Sequence, residues 1–368
     1  MLRVLFLHAD DVAANVRIRP LLEQLSASNQ IRYAVVDRNM AATGARSDKY
    51  DALLTHRNLS RRQHGWVTSR DIPFVYDIDD LLLSDEVRGT RRLAEQQSIR
   101  WCLESAQVVT APSRRLLRTL DHKLPKGLGG RAIFLPNPGR DGPPPNKASG
   151  LPRFFWASSA QPLPAPDLDD ACRGINDAAQ ALKTDIVMIG RFPQRLLDFF
   201  PSREVIDWLE PSAYLDLLAR GSFIAVAPLS LSLAVSQQTF ADCKSDIKIA
   251  QFGSSRIAGA YSAAPPFTES DLPCHIVPQN TRLAWSDALL ALANGFPDDG
   301  NKLGDAAAFA GRRPLVLAEQ LYRLLKQTAA VTEPFSFRAI STPTVGRAIE
   351  RRIRSLRTRL LRPRQLAR

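Results

Sequence analysis

The sequence predicts an α/β protein built as two doubly wound domains, each a parallel sheet covered by helices on both faces. Three observations lead there. Short apolar, β-rich runs alternate with helix-periodic segments. The alternation stops at one proline-rich stretch and then starts again. A chain of 368 residues, 45% hydrophobic and 23% charged, also supplies more apolar material than one core usually holds. Alternation of this kind favours parallel strands joined by crossover helices.

The first round of strands is expected at Leu2–His8, Ile31–Val36, Ala52–Thr55, Phe74–Ile78, Val108–Thr110 and Ala132–Leu135. Ile18, Leu21, Leu22 and Leu25 mark one helical face between them, and Leu93, Ile99 and Leu103 another. From Pro136 to Pro145 five of ten residues are proline, which reads as a linker. The second round places strands at Arg153–Trp156, Asp185–Ile189, Phe223–Ala227 and Cys274–Val277. Its helices show Leu168, Ala171, Ile175, Ala178, Ala179 and Leu182 on one face, and Leu215 and Leu218 on another. A last helix is expected from about Leu303 to Leu325, kinked or split at Pro314. The expected divisions are an N-terminal domain over 1–140, a linker over 141–150, a C-terminal domain over 151–330 and a tail over 331–368.

Composition excludes several classes. The opening apolar run is too short for a signal peptide and meets Asp10 and Asp11 at once, so a cytoplasmic protein is expected. No apolar run reaches the ~20 residues of a membrane-spanning helix. Cys102, Cys172, Cys243 and Cys274 lie far apart, without metal or disulfide spacing. His56, His64, His122 and His275 show neither metal nor triad spacing. A dinucleotide-dependent dehydrogenase would carry G-x-G-x-x-G after the first strand, where this chain reads His8-Ala9-Asp10-Asp11-Val12-Ala13. Neither a cofactor nor a metal is expected.

The richest stretch is Phe240-Ala241-Asp242-Cys243-Lys244-Ser245-Asp246-Ile247-Lys248-Ile249-Ala250-Gln251, which follows a buried-strand run. Lysines and backbone amides gather there at a helix start, which suits a phosphate. The pattern resembles the donor motif CKS-x-x-K-x-x-E of bacterial glycosyltransferases of family 4 (group 1), with Gln251 in place of the glutamate. Other pieces agree in order. Asn15-Val16-Arg17-Ile18-Arg19-Pro20 is similar to the family's first-helix pattern. Ile72-Pro73-Phe74-Val75-Tyr76-Asp77-Ile78-Asp79-Asp80 is similar to its "vvyDiDD" strand end. Val109-Thr110-Ala111-Pro112-Ser113, Leu135-Pro136-Asn137, and Trp285 with Ala288, Leu289 and Leu292 match later segments.

The resemblance implies the GT-B architecture, two Rossmann-like domains facing a cleft, and transfer of a sugar from a UDP-, GDP- or dTDP-linked donor with retention. The acceptor would be a cell-surface glycan or a lipid-linked molecule. Lys244, Ser245, Lys248 and Gln251 would bind the donor, with Ser158 and Ser159 in the loop where typical members carry an Arg and a Lys. Arg191 is a further donor contact, and His8 and Arg17 are expected on the acceptor side. Asp79 falls where many relatives carry an active-site histidine, and a carboxylate there could stabilise charge at the anomeric carbon or orient the acceptor hydroxyl. Each has a plainer reading: Ser245 as the N-cap of a solvated helix, and Asp79 as a strand-end carboxylate capping the next helix. Gln251 and the missing loop bases leave room for a non-catalytic homologue that binds a nucleotide sugar, glycan or partner enzyme.

The formal charge of +12 is uneven. Arg347 to Arg368 holds nine arginines and one glutamate, a net of +8. Val345, Ile349, Ile353, Leu356 and Leu360 draw one apolar stripe among those arginines. Such a helix fits an anionic membrane surface, which would make the protein peripheral on the inner face of the cell membrane. Packing of the stripe on the N-terminal domain, and disorder, are the alternatives. No aromatics are interleaved and no nucleic-acid module is recognised, so nucleic acid is not the expected partner.

Overall fold

The computed structural model describes residues 1–8, 11–36, 49–70, 72–83, 90–139, 151–158, 164–295 and 309–331. Residues 1–331 cluster as one unit. The tail, with its expected stripe and arginines, lies outside the described residues, as does Ser159.

The N-terminal sheet is formed by β1 (Leu2–His8), β2 (Ile31–Val36), β3 (Ala52–His56), β4 (Phe74–Asp77), β5 (Val108–Ala111) and β6 (Ala132–Phe134). Its order is β2-β1-β3-β4-β5-β6, with every pair parallel. The helices are α1 (Asp11–Arg17), α2 (Arg19–Ala27), α3 (Arg61–Thr68), α4 (Thr90–Ser105) and α5 (Arg114–Lys123). Ser60 starts α3 through a reciprocal capping box with Gln63, and the Ser113 hydroxyl caps α5 at Leu116.

The C-terminal sheet comprises β7 (Arg153–Ser158), β8 (Ile186–Gly190), β9 (Arg203–Ile206), β10 (Phe223–Ala227), β11 (Gly259–Ser262) and β12 (His275–Val277). Its parallel order is β9-β8-β7-β10-β11-β12. Around it lie α6 (Pro166–Ala181), α7 (Gln194–Leu197), α8 (Pro211–Arg220), α9 (Val235–Asp242), α10 (Ile247–Ser254), α11 (Pro265–Thr268) and α12 (Arg282–Asn294). Trp285 of α12 is fully buried against α6 residues such as Leu168 and Ile175. That approach needs Gly174, where an added Cβ would stand 2.2 Å from the Arg282 carbonyl oxygen.

The last helix, α13 (Pro314–Ala329), packs against the N-terminal sheet and its helices. It begins at Pro314, in the first-turn position where a missing N–H costs nothing, and the expected start near Leu303 lies outside the described residues. Its buried Leu317, Ala318, Leu321 and Leu325 join the core formed by Val4, Leu21, Leu22 and Leu54. Residues 314–331 therefore pack on the N-terminal domain. Strands β9 and β11 also lie beyond the expected set: the first is an exposed Arg-Glu edge strand, the second the buried run Gly259-Ala260-Tyr261-Ser262.

The strand order reverses between β1 and β3 in one sheet and between β7 and β10 in the other. Ligands of open α/β sheets bind beyond the carboxyl ends of strands at such reversals. The two domains touch between α5 and the segment from α9 to α11. Phe240 and Cys243 pack into the N-terminal core, and the Cys243 thiol lies 3.3 Å from Thr119 Oγ1. Arg115 and Arg118 of α5 both pair with Glu269 of the other domain.

Candidate functional site

Helix α10 begins at the domain junction, and its N-cap is Asp246 rather than Ser245. An aspartate there ordinarily accepts a hydrogen bond from the first-turn amides. Asp246 does not; no side-chain cap bond forms. Its carboxylate turns to Arg312, which donates from Nη1 at 3.1 Å and Nη2 at 2.7 Å, and to the Ser270 hydroxyl at 2.7 Å. The first-turn N–H groups of α10 are thus left without a side-chain acceptor, at the positive end of the helix dipole.

Two lysines flank this open end. Lys244 stands before the helix with its ammonium 5.0 Å from the Phe240 ring centre, and Lys248 is in the first turn. Neither forms a salt bridge among the described residues. Burial pushes the Lys248 ammonium down to about 7, and Lys244 adds repulsion in the same direction. Ser245 accepts a 2.7 Å hydrogen bond from Asn137 Nδ2 in the interdomain segment, leaving its own proton free to donate. Gln251 lies three residues after Lys248 on the same helix face.

Across the junction, the carboxyl ends of the N-terminal strands form a buried polar layer. His8, His56 and Asp77 are register partners on β1, β3 and β4, and all three are fully buried. Arg17 makes a two-pronged pair with Asp77, from Nε at 2.8 Å and Nη2 at 2.7 Å, and donates to Asn137 Oδ1 and the Leu135 carbonyl. His56 Nδ1 and the Thr110 hydroxyl complete the shell of Asp77 at 2.8 and 2.5 Å. Burial would raise the Asp77 carboxyl, but Arg17 and His56 outweigh it and hold the group well below the usual carboxylate range.

Two residues expected on the acceptor side lie in this layer. Arg17 is 2% exposed and committed to Asp77, Asn137 and Leu135. His8 is likewise buried, with its Nε2 3.4 Å from Arg19. Arg17 ends α1 and is drawn inward by the Asp77 carboxylate, whereas His8 ends β1 beside His56.

Asp79 and Asp80 follow β4 and share Arg57, a residue held at φ +56°. That left-handed backbone is unusual for a residue with a Cβ. Arg57 grips both oxygens of Asp79, Nε to Oδ1 at 2.5 Å and Nη2 to Oδ2 at 2.9 Å, but only Oδ2 of Asp80. Asp80 is the more exposed of the two, 26% against 16%, and lies within electrostatic reach of Lys244. Burial and the neighbouring Asp79 raise its carboxyl, whereas His56 and Arg57 outweigh burial at Asp79 and lower it.

Lys244 and Ser245 line a cavity of about 50 Å³ between the domains, with Ser113, Arg114, Glu269 and Arg312 around them. That is far below the roughly 300–1,000 Å³ of ligand pockets. Ser158, Arg191, Lys248 and Gln251 do not line it. Ser158 and Arg191 instead meet at neighbouring strand ends: Ser158 pairs in register with Gly190, and exposed Arg191 follows. Gly190 takes φ +108°, and a Cβ there would collide with the Ser158 carbonyl at 1.8 Å. Sequence reasoning missed His56, Arg57, Asn137 and Arg312, whose partners are 21 to 175 residues away. The signal for His56 was present, since it ends one strand as Asp77 ends the next.

No protein-family profile and no curated protein matches this sequence. Solved structures do. HepE from Anabaena, in complex with UDP and glucose, is 12% identical with a TM-score of 0.54, over 89% of this chain and 100% of that one. The same protein with UDP-glucose gives 0.52. An alpha-glucosyltransferase bound to UDP and a 13-mer DNA is 11% identical with a TM-score of 0.53, over 89% and 100% of the chains. MnaA of S. aureus with UDP is 12% identical with a TM-score of 0.50, over 91% and 99%. At such identities the likeness bears on architecture alone: two Rossmann-like domains with six-stranded parallel sheets, arranged in the GT-B fold.

Proposed function

We propose that this chain is a glycosyltransferase that moves a sugar from a nucleotide-sugar donor to a glycan or lipid-linked acceptor with retention of configuration, as the resemblance to family 4 implies. The observation that carries the reading is the uncapped start of α10 between Lys244 and Lys248 at the domain junction. In transfer the bond from the anomeric carbon to the diphosphate oxygen breaks, the new bond forms to the acceptor oxygen, and the acceptor's proton passes to the departing diphosphate. The diphosphate leaves with growing negative charge, which the two ammonium groups, the Ser245 hydroxyl and the first-turn amides stabilise. Gln251 offers the donor ribose one amide oxygen in place of a carboxylate. Ser158 and Arg191 border the same strand ends. The neighbours solved with UDP or UDP-glucose support a nucleotide sugar as ligand.

The part expected of Asp79 passes to Asp80 in this proposal. Both Asp79 oxygens are taken by Arg57, whereas Asp80 keeps Oδ1 for an acceptor hydroxyl or for charge at the anomeric carbon. A second reading, a GT-B protein that binds a nucleotide sugar without turnover, is favoured by Gln251 and by serine in place of basic residues at 158 and 159. Purified protein incubated with isotope-labelled UDP-sugars separates the two: released or transferred label supports the enzyme, and binding without release supports the second reading.

A further inference from the structure

We infer that Arg312 is a positioning residue of the donor site, acting by holding the Asp246 carboxylate away from the N-terminus of α10. The inference rests on the proposed seating of a donor diphosphate there. Left to itself, an N-cap aspartate bends back to accept from the first-turn amides. Here that would place a negative charge on the spot the diphosphate needs. Arg312 prevents it with bonds to both Asp246 oxygens, at 3.1 and 2.7 Å. The pair is almost completely buried, Arg312 at 3% and Asp246 at 6% exposure. Asp246 receives a further bond from Ser270, so both of its oxygens are engaged away from the helix.

Arg312 is itself fixed from several sides. Its Nη2 donates to Asp271 at 2.6 Å, its carbonyl accepts from the Gly139 N–H at 2.8 Å, and its Nη1 is 3.5 Å from the Asn137 carbonyl. It stands two residues before α13, where the chain returns to the N-terminal domain. The residue that clears the helix start is therefore anchored in the segment joining the domains. Asn137 adds a second constraint beside it, since its Nδ2 occupies Ser245 as acceptor and directs the serine proton elsewhere.

The test is calorimetry with UDP-glucose on the full chain carrying Arg312→Met, alone and combined with Asp246→Ala. The single variant frees the carboxylate to cap the helix, and affinity should fall about tenfold or more, the scale of a charge-assisted contact replaced by repulsion. Removing the carboxylate as well should return affinity to within about threefold of wild type. A double variant as weak as the single one would overturn the inference, because the freed carboxylate would then not be what weakens binding. Arg312→Lys, alone and with Asp246→Ala, repeats the comparison with the buried charge kept should the methionine variant unfold. Amide exchange read by NMR gives a ligand-free check. Arg312→Met should slow exchange at Lys248 and Ile249 as the carboxylate caps them, and unchanged exchange would contradict the mechanism. Wild-type protein that ignores UDP-, GDP- and dTDP-sugars alike sinks the donor reading, while this exchange result still decides the role of Arg312.

Discussion

Lys248 should make donor affinity fall as pH rises through neutrality. Its ammonium is pushed down to about 7 by burial at the start of α10 and by Lys244. At that value it is roughly nine-tenths charged at pH 6 and about one-tenth charged at pH 8. The diphosphate of UDP-glucose carries no group that titrates in this interval, so the lysine sets the dependence. Binding that requires the charged form should weaken about tenfold from pH 6 to pH 8, or ~1.4 kcal/mol. Calorimetry at the two pH values, in buffers of different ionisation enthalpy, would read both the affinity and the proton taken up. Lys248→Arg keeps its charge throughout and should flatten the profile. Equal wild-type affinities at pH 6 and pH 8, or a slope that survives in Lys248→Arg, would refute the reasoning. The empty protein should show the opposite trend in stability. An unfolded lysine holds its proton to about pH 10.4, and the folded one releases it from about 7. Between those values the unfolded state binds more protons, so stability from this group rises with pH.

Arg17→Met should cost about 3–5 kcal/mol in denaturant unfolding, because it strands the fully buried Asp77 without its counter-charge. Asp77 is held well below the ordinary range, so its contribution is complete above about pH 4 and is lost on acidification; the variant should show less of that acid dependence. Gln251→Glu should hold or improve UDP-glucose affinity, since a carboxylate makes stronger bonds to ribose hydroxyls than an amide does. A large loss would mean that the pocket has been rebuilt for another ligand. The full chain should sediment with anionic vesicles more strongly than a chain ending at Ser341, with the arginine-rich stripe as anchor. Equal sedimentation would remove the tail from that role.

Much of the fold was legible because buried parallel strands advertise themselves. Leu2–His8, Ile31–Val36 and Phe223–Ala227 are long apolar runs, and all appear where the pattern places them. Strand β11 escaped notice because Gly259-Ala260-Tyr261-Ser262 is buried yet carries little β-branched character. The path of α13 was hidden for a different reason. Its apolar face is plain in sequence, but which domain receives that face depends on a tertiary choice. At the site, the lysine-flanked helix start was readable from local pattern. The commitments of Arg17, Asp79 and Asp246 were not, because each is decided by a partner distant in sequence: Asp77, Arg57 and Arg312. A free-looking charge in a sequence is free only if no buried counter-charge folds against it.

The central claim is that a nucleotide-sugar diphosphate sits at the start of α10, between Lys244 and Lys248. Titration of UDP-glucose, GDP-mannose and a dTDP-sugar into wild type and Lys244→Ala at pH 6.5 tests it most directly. The account predicts saturable binding of one of these donors by wild type. It also predicts affinity about tenfold or more lower in the variant, with thermal unfolding unchanged, because the substitution removes one charge-assisted contact from a half-buried side chain that holds no salt bridge among the described residues. Equal affinity in the two proteins, or no binding of any donor to wild type, would contradict it.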